Sequence, residues 1–363
     1  MARPIRVLVV DDSAVARRLL CDLLERDPGI EVVATAGDGY IARRKVQALR
    51  PDVVTLDVVM PRMDGLTLLG QLMRVRPLPV VMISGQTAES CDVTLQALER
   101  GAVDFICKPQ EDLQAWIATA GDEIVEKVKQ AARARLRPLP LREPVRPPVR
   151  VAAAARTARP LIAIGASTGG TEAIVELLME MPPDSPGMVI VQHMPREFTR
   201  RFAERCDTRT AVRVKEAEHG DEVRTGWALV APGGQHARVR RADGRYWVSL
   251  DEQPPVNRHR PSVDVLFESV VDAAGSDGIG VLLTGMGTDG ARGLLAMRRA
   301  GARTLVQDEG SCVVFGMPRE AIAVGAAEFV VPLGRIARVV LGLLTGQESA
   351  GAARGRTLHA LDA

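Results

Sequence analysis

A serine among glycines, a histidine just after an aliphatic run and an aspartate in a glycine-rich turn could together transfer an acyl group. Ser167 stands in "LIAIGASTGG", where an aliphatic run stops and the pattern G-x-S-x-G begins. In such an elbow a strand turns sharply into a helix, the glycines permit close backbone approach, and the hydroxyl is exposed beside helix N-terminal amides that can receive an anion. The same five residues also describe a Gly-rich phosphate loop or a plain tight turn, so the serine needs a base to mean more. Five histidines are available. His359 lies in the C-terminal tail, His219 in the polar loop "EAEHGDEV", His236 after a Pro-Gly-Gly turn, and His259 in "NRHRPSVD", among arginines that would lower its basicity. His193 directly follows "GMVIVQ", the next strand after the serine's, and ranks first because it should emerge on the same sheet edge. The acid that would hold its imidazole is Asp289 in "LLTGMGTDGARG". That string also fits G-x-G-x-x-G, with Asp308 18 residues beyond its last glycine, a passable dinucleotide fingerprint. Against the cofactor reading, Asp289 would set a negative charge where a pyrophosphate docks, at a helix N-terminus that favours anions.

A second set of polar residues sits at strand ends nearer the N-terminus. Asp11 and Asp12 follow "IRVLVV", Asp57 closes "PDVVTLD", Ser84 follows "VVMI", and Lys108 precedes Pro109 in "FICKP". Carboxyl ends of adjacent parallel strands lie side by side, so these groups converge on one crevice. Three carboxylates together repel one another and call for a hard cation; oxygen ligands of this kind suit Mg²⁺, which keeps several waters and recruits phosphate. A hydroxyl from Ser84 and an ammonium from Lys108 are expected to point into the same crevice.

Two domains must position these sets. In the first 110 residues, five short aliphatic runs each precede an amphipathic helical pattern, which predicts a parallel sheet covered on both faces, doubly wound by right-handed crossovers. From Leu161 the alternation resumes with "LIAIG", "GMVIVQ", "WALVAP", "IGVLLTG", "ARTLVQ" and "EFVVPL", a second and larger α/β domain. The expected boundaries are 1–125 and 159–348 for the two domains, 126–158 for a linker and 349–363 for a mobile tail. Residues 131–160 hold eight arginines and six prolines without apolar period, which reads as an extended, semi-rigid linker. Outside that stretch 39 basic residues face 44 acidic ones, and aromatics are only 3%, so a nucleic-acid surface is disfavoured. No pair of the five cysteines has C-x-x-C spacing, which fits reduced thiols in a cytosol. The apolar run in "MARPIRVLVVDD" is closed by two aspartates and is read as neither signal peptide nor membrane span.

The strand-end set resembles the receiver domain of bacterial response regulators. The resemblance implies that Asp57 is the phosphoacceptor, that Asp11 and Asp12 hold Mg²⁺ with it, that Lys108 contacts the phosphoryl group, that Ser84 is the switch hydroxyl and that Phe105 is the rotating aromatic. Both halves together resemble the chemotaxis response regulator protein-glutamate methylesterases, through "VDDSA", "TLDVVMPRMDG", "FICKPQ", "IGASTGGTEA", "QHMP", "VKEAEHG", "VNRHRPSVDVLF", "TGMGTDGA" and "SCVVFGMPREA". This implies a flavodoxin-like receiver joined to a methylesterase α/β domain that removes γ-methyl esters of glutamate, and deamidates glutamine, on cytoplasmic helices of methyl-accepting chemotaxis receptors. The implied esterase step uses Ser167, His193 and Asp289 without a cofactor; amides near Thr168 and, by resemblance, Met286 would bind the oxyanion. A chemotaxis histidine kinase would be the phosphodonor, and the unphosphorylated receiver would cover the catalytic cleft. Neither nucleic acid nor membrane insertion is expected, and the implied location is cytoplasmic.

Overall fold

The computed structural model describes residues 3–85, 87–109, 112–136 and 160–345. They form two compact units, one on each side of residues 137–159. The N-terminal unit alternates β1 (Ile5–Val10), α1 (Ala14–Leu24), β2 (Ile30–Ala36), α2 (Gly39–Leu49), β3 (Val53–Asp57), α3 (Gly65–Val75), β4 (Val80–Ser84), α4 (Ala88–Glu99), β5 (Asp104–Cys107) and α5 (Leu113–Ala131). All five expected strands form, in a parallel sheet of order β2-β1-β3-β4-β5. Strands β3 and β4 are buried along their whole length, which is why they read as unbroken aliphatic runs instead of alternating ones. The order reverses direction beside β1, and a crevice opens there at the carboxyl ends of β1 and β3. Helix α5 continues to Ala131, into the stretch expected to be linker from 126. The reason is local: buried Ile117, Gly121, Ile124, Val128 and Ala131 keep helical spacing to that point.

The C-terminal unit runs β6 (Leu161–Ala166), α6 (Gly170–Met179), β7 (Met188–Gln192), α7 (Arg196–Asp207), β8 (Arg213–Glu216), β9 (Trp227–Val230), β10 (His236–Ala242), β11 (Arg245–Asp251), α8 (Val263–Ala274), β12 (Gly278–Leu282), α9 (Ala291–Arg299), β13 (Arg303–Gln307), α10 (Met317–Ala323), β14 (Phe329–Val331) and α11 (Leu333–Thr345). Seven parallel strands form one sheet in the order β14-β13-β12-β6-β7-β9-β8. Strand β6 is central and entirely buried, and the winding reverses between it and β12. Beyond the expected strands there are the edge strand β8 and an antiparallel hairpin, β10–β11. The hairpin turns through Asp243 and Gly244, both at positive φ (50° and 72°), the backbone that a two-residue type I′ connection requires. Its buried Ala237, Val239, Tyr246 and Val248 share a core with Val263, Leu266, Phe267 and Val270 of α8. Phe267 is wholly buried there, and its truncation to alanine would cost about 3–5 kcal/mol. Residues 137–158 of the expected linker, and the tail from 349, lie outside the described residues. Among the described residues no helix is long and apolar enough to cross a membrane.

Candidate active site and phosphoacceptor site

Three strand ends meet at the switch point of the larger sheet. In the parallel ladder Ala166 of β6 pairs with Gln192 of β7, so Ser167 and His193 are the next residues out on neighbouring strands. The His193 amide donates to Ala166 O at 3.1 Å, and the Ser167 amide donates to Thr284 O, just beyond β12, at 3.0 Å. Gly169, at φ 75°, then turns the chain into α6. Gln192 donates from Nε2 to Ser167 O (2.9 Å) and His193 O (3.2 Å), tying the two corners together. A Cβ at residue 285 would fall 2.8 Å from Ser167 Cβ, so only glycine lets the loop carrying Met286 pass the serine. Thr284 bonds its hydroxyl to Thr168 O (3.0 Å), and so braces the serine's turn from the β12 side.

His193 Nε2 lies 2.8 Å from Asp289 Oδ2. Asp289 is buried and collects four further donors: Asn257 Nδ2 (2.7 Å), Ser262 Oγ (2.7 Å), and the amides of Val263 (2.7 Å) and Asp264 (3.2 Å) at the start of α8. Burial alone would push this carboxyl up. The hydrogen bond and charge of His193, with the bonds from Asn257 and Ser262, outweigh burial and hold it well below the usual carboxylate range. An ionised Asp289 only accepts, so the proton of a neutral His193 sits on Nε2 and its lone pair on Nδ1. Nδ1 is buried and has no hydrogen-bond partner. Ser167 and His193 are thus neighbours in register without a hydrogen bond between Oγ and Nδ1.

The other histidines are placed elsewhere or differently. His236 is wholly buried and bonded to Pro254 O and the Ser262 amide, a structural role, and His219 Nδ1 accepts from the Leu250 amide. His359 lies outside the described residues. His259 is at the site after all: its ring stacks on His193, with centroids 3.6 Å apart and planes 13° apart. Asn257 is not among the candidates of the sequence analysis, and His259 is weighed there only as a base and ranked below His193. They sit in a tight turn in which Val256 and His259 exchange backbone hydrogen bonds, and Asn257 and Arg258 both have positive φ. The Asn257 amide spends its second N–H on Asp264 Oδ2 at 2.8 Å, so it bridges two buried carboxyls. Asp264, in turn, is pushed up by burial and by the charge of Asp289.

In the smaller unit, Asp11, Asp12 and Asp57 offer carboxylate oxygens within 4.8 Å of one another. Asp11 and Asp57 are buried, while Asp12 is exposed. Lys108 Nζ donates to both Asp11 Oδ2 and Asp57 Oδ2 at 2.8 Å. Burial, then the charge of Asp11, raises Asp57 to about 6 even with Lys108 working against both. An all-oxygen donor set with one open side and surplus negative charge fits Mg²⁺. Ser84 departs from expectation. Its hydroxyl turns to α4, donating to Ser90 O and accepting from Thr94 Oγ1 (2.6 Å), instead of pointing into the crevice, because α4 presents both partners directly over the end of β4. Phe105 is buried in β5, and Lys127 of α5 lies 5.4 Å over its ring.

The CheB methylesterase family model matches residues 162–340, and the response regulator receiver domain matches 7–118. A protein-glutamate methylesterase/protein-glutamine glutaminase of Bordetella avium is 53% identical over 93% of this chain and 97% of its own length. The chain belongs to the CheB methylesterase family. A relative of the same name from Xanthomonas campestris is 52% identical over 94% of this chain and 97% of its own. The CheB methylesterase catalytic domain of Thermotoga maritima, a crystal structure, superposes with a TM-score of 0.51 at 36% identity, covering 52% of this chain and all of that one.

Proposed function

We propose that this CheB-family protein hydrolyses glutamate γ-methyl esters, and deamidates glutamine, on the cytoplasmic helices of methyl-accepting chemotaxis receptors. The reading rests on one observation above all: a buried carboxylate with five donors binds His193 at Nε2, which leaves Nδ1 without a hydrogen-bond partner on the strand next to Ser167. His193 Nδ1 takes the proton of Ser167 as Oγ bonds to the ester carbonyl carbon. The carbonyl electron pair moves to oxygen, where the Thr168 and Met286 amides receive it. As the tetrahedral species collapses, the C–O bond to the methoxy group breaks, and His193 returns the proton so that methanol leaves. Water then attacks the acyl-enzyme and His193 takes its proton; as the C–O bond to Ser167 breaks, His193 gives that proton to Oγ, and the glutamate carboxylate is freed. With glutamine the leaving group is ammonia. Asp289 keeps the tautomer and steadies the imidazolium throughout.

Labelled-methanol release from methylated receptor tests this. Ser167→Ala should lower turnover by roughly 10⁴-fold or more. Release at the wild-type rate would overturn the assignment.

The receiver reading is that Asp57 Oδ bonds to phosphorus of a phosphohistidine on the chemotaxis kinase as the P–N bond breaks and the kinase imidazole leaves, while Lys108 neutralises charge on the transferred group. Asp11, Asp12 and Asp57 would hold Mg²⁺, which when bound supplies further charge neutralisation. Ser84 then leaves its α4 partners for the phosphoryl oxygen, and Phe105 reorients with it. The unphosphorylated receiver restrains the esterase, so a chain lacking residues 1–150 should show raised basal methanol release, and an unchanged rate would remove the regulatory part.

A further inference from the structure

We propose that His259 is a positioning residue for the esterase step, holding the ring plane of His193 so that Nδ1 stays directed at Ser167. The inference rests on the proposed function and adds a component to the same site. The bond to Asp289 fixes His193 at one atom, Nε2, and no hydrogen bond restrains Nδ1. A ring tethered at Cβ and hydrogen-bonded at Nε2 can still turn about the line joining those two points, which would carry the lone pair away from the serine. The near-parallel His259 ring at 3.6 Å supplies the second restraint. It lies in van der Waals contact across one whole face and blocks rotation out of plane.

The element that carries His259 is built to be stiff. Val256 and His259 close a two-residue turn with backbone bonds of 3.1 and 2.9 Å. Asn257 (φ 52°) and Arg258 (φ 67°) occupy the left-handed region, which is unfavourable for a residue such as Arg258. Backbone strain of that kind persists where surrounding contacts over-determine it, and functional sites are where it gathers. Here the contacts are those of Asn257 to Asp289 and Asp264. One turn therefore holds the acid by its second residue and the base by its fourth.

Two variants of the full chain separate a positioning ring from mere filling. His259→Phe keeps a flat ring that can stack, and His259→Leu keeps volume without one. Two readouts are taken: methanol release from methylated receptor, and the rate at which phenylmethylsulfonyl fluoride labels Ser167, followed by mass spectrometry. Leucine should lower kcat and labelling by about 10- to 100-fold with KM unchanged, and phenylalanine should recover to within about threefold of wild type, the scale expected for small misplacements of a catalytic group. Leucine at the wild-type rate, or phenylalanine as slow as leucine, overturns the proposal, as does an activity loss that simply follows melting temperature in both variants. If labelling depends on residue 259 as expected but wild type releases no methanol, the substrate assignment falls and the positioning role stands. If methanol release is normal in wild type and in the leucine variant, the reverse holds.

Discussion

Both units place a buried aspartate at a switch point of a parallel sheet, yet the two carboxylates live in opposite surroundings. Asp289 accepts five hydrogen bonds and is held well below the usual range. Asp57 has Lys108 and one long bond from the Val59 amide (3.3 Å), shares Lys108 with Asp11, and is raised to about 6. Under the roles proposed for them, the contrast follows from what each would do. A carboxylate that only orients an imidazole works best saturated with donors, because its charge and position then never change. A carboxylate that must attack phosphorus cannot be saturated, since every donor on its lone pairs reduces its nucleophilicity. The receiver accepts repulsion in its resting state for that reason, and the catalytic unit does not.

The largest effect expected of that contrast is on turnover. Asp289→Asn would present N–H where His193 Nε2 needs an acceptor, flipping the tautomer, and should lower kcat by about 10⁴-fold in the methanol assay. The same change should destabilise the catalytic unit by about 2–4 kcal/mol, read by urea unfolding, since buried donors lose a charged acceptor. Asn257→Ala comes next. It leaves Asp264 and Asp289 unbridged, and a loss of about 1–2 kcal/mol with roughly tenfold slower turnover is expected. The receiver should answer with the opposite sign. Asp57→Asn removes a like charge beside Asp11, and in chelator its melting temperature should rise by a few degrees, about 1 kcal/mol. A fall would mean that the pair with Lys108 stabilises more than the repulsion costs. The smallest effect is a pH limb. Asp289 is depressed by folding, so the stability it contributes is complete above the unfolded value of about 3.9 and is lost as pH falls through it toward the lower folded value. Melting of the catalytic unit should decline below about pH 4, and Asp289→Asn should flatten that decline.

What could be read in advance follows the same physics. Buried parallel strands are plain aliphatic runs, and polar residues at their ends are conspicuous, so the strands of the receiver and the meeting of His193 with Asp289 are legible in the sequence. Strand β8, "RVKE", was not, because an edge strand buries little beyond Val214. The β10–β11 hairpin carries a usable signal: "DG" between alternating apolar positions of "HARVRRADGRYWVSL". Asn257 and His259 had no such marker. Their importance depends on a left-handed turn and on partners far along the chain: Asp289 lies 32 residues from Asn257. For His259, the flanking arginines suggested a poor base, which left open that a histidine can act through its face. Ser84 shows a related limit: its position at a strand end was evident, but the direction of a small hydroxyl was set by Thr94 and Ser90 on the next helix.

The amides of Val263 and Asp264 open α8, and both end on the carboxylate that holds His193. Losing that side chain would therefore unmoor the first turn of a core helix at the same time as it silences the chemistry. Forms altered at this position should therefore be poorly folded as well, and open to clearance by proteases.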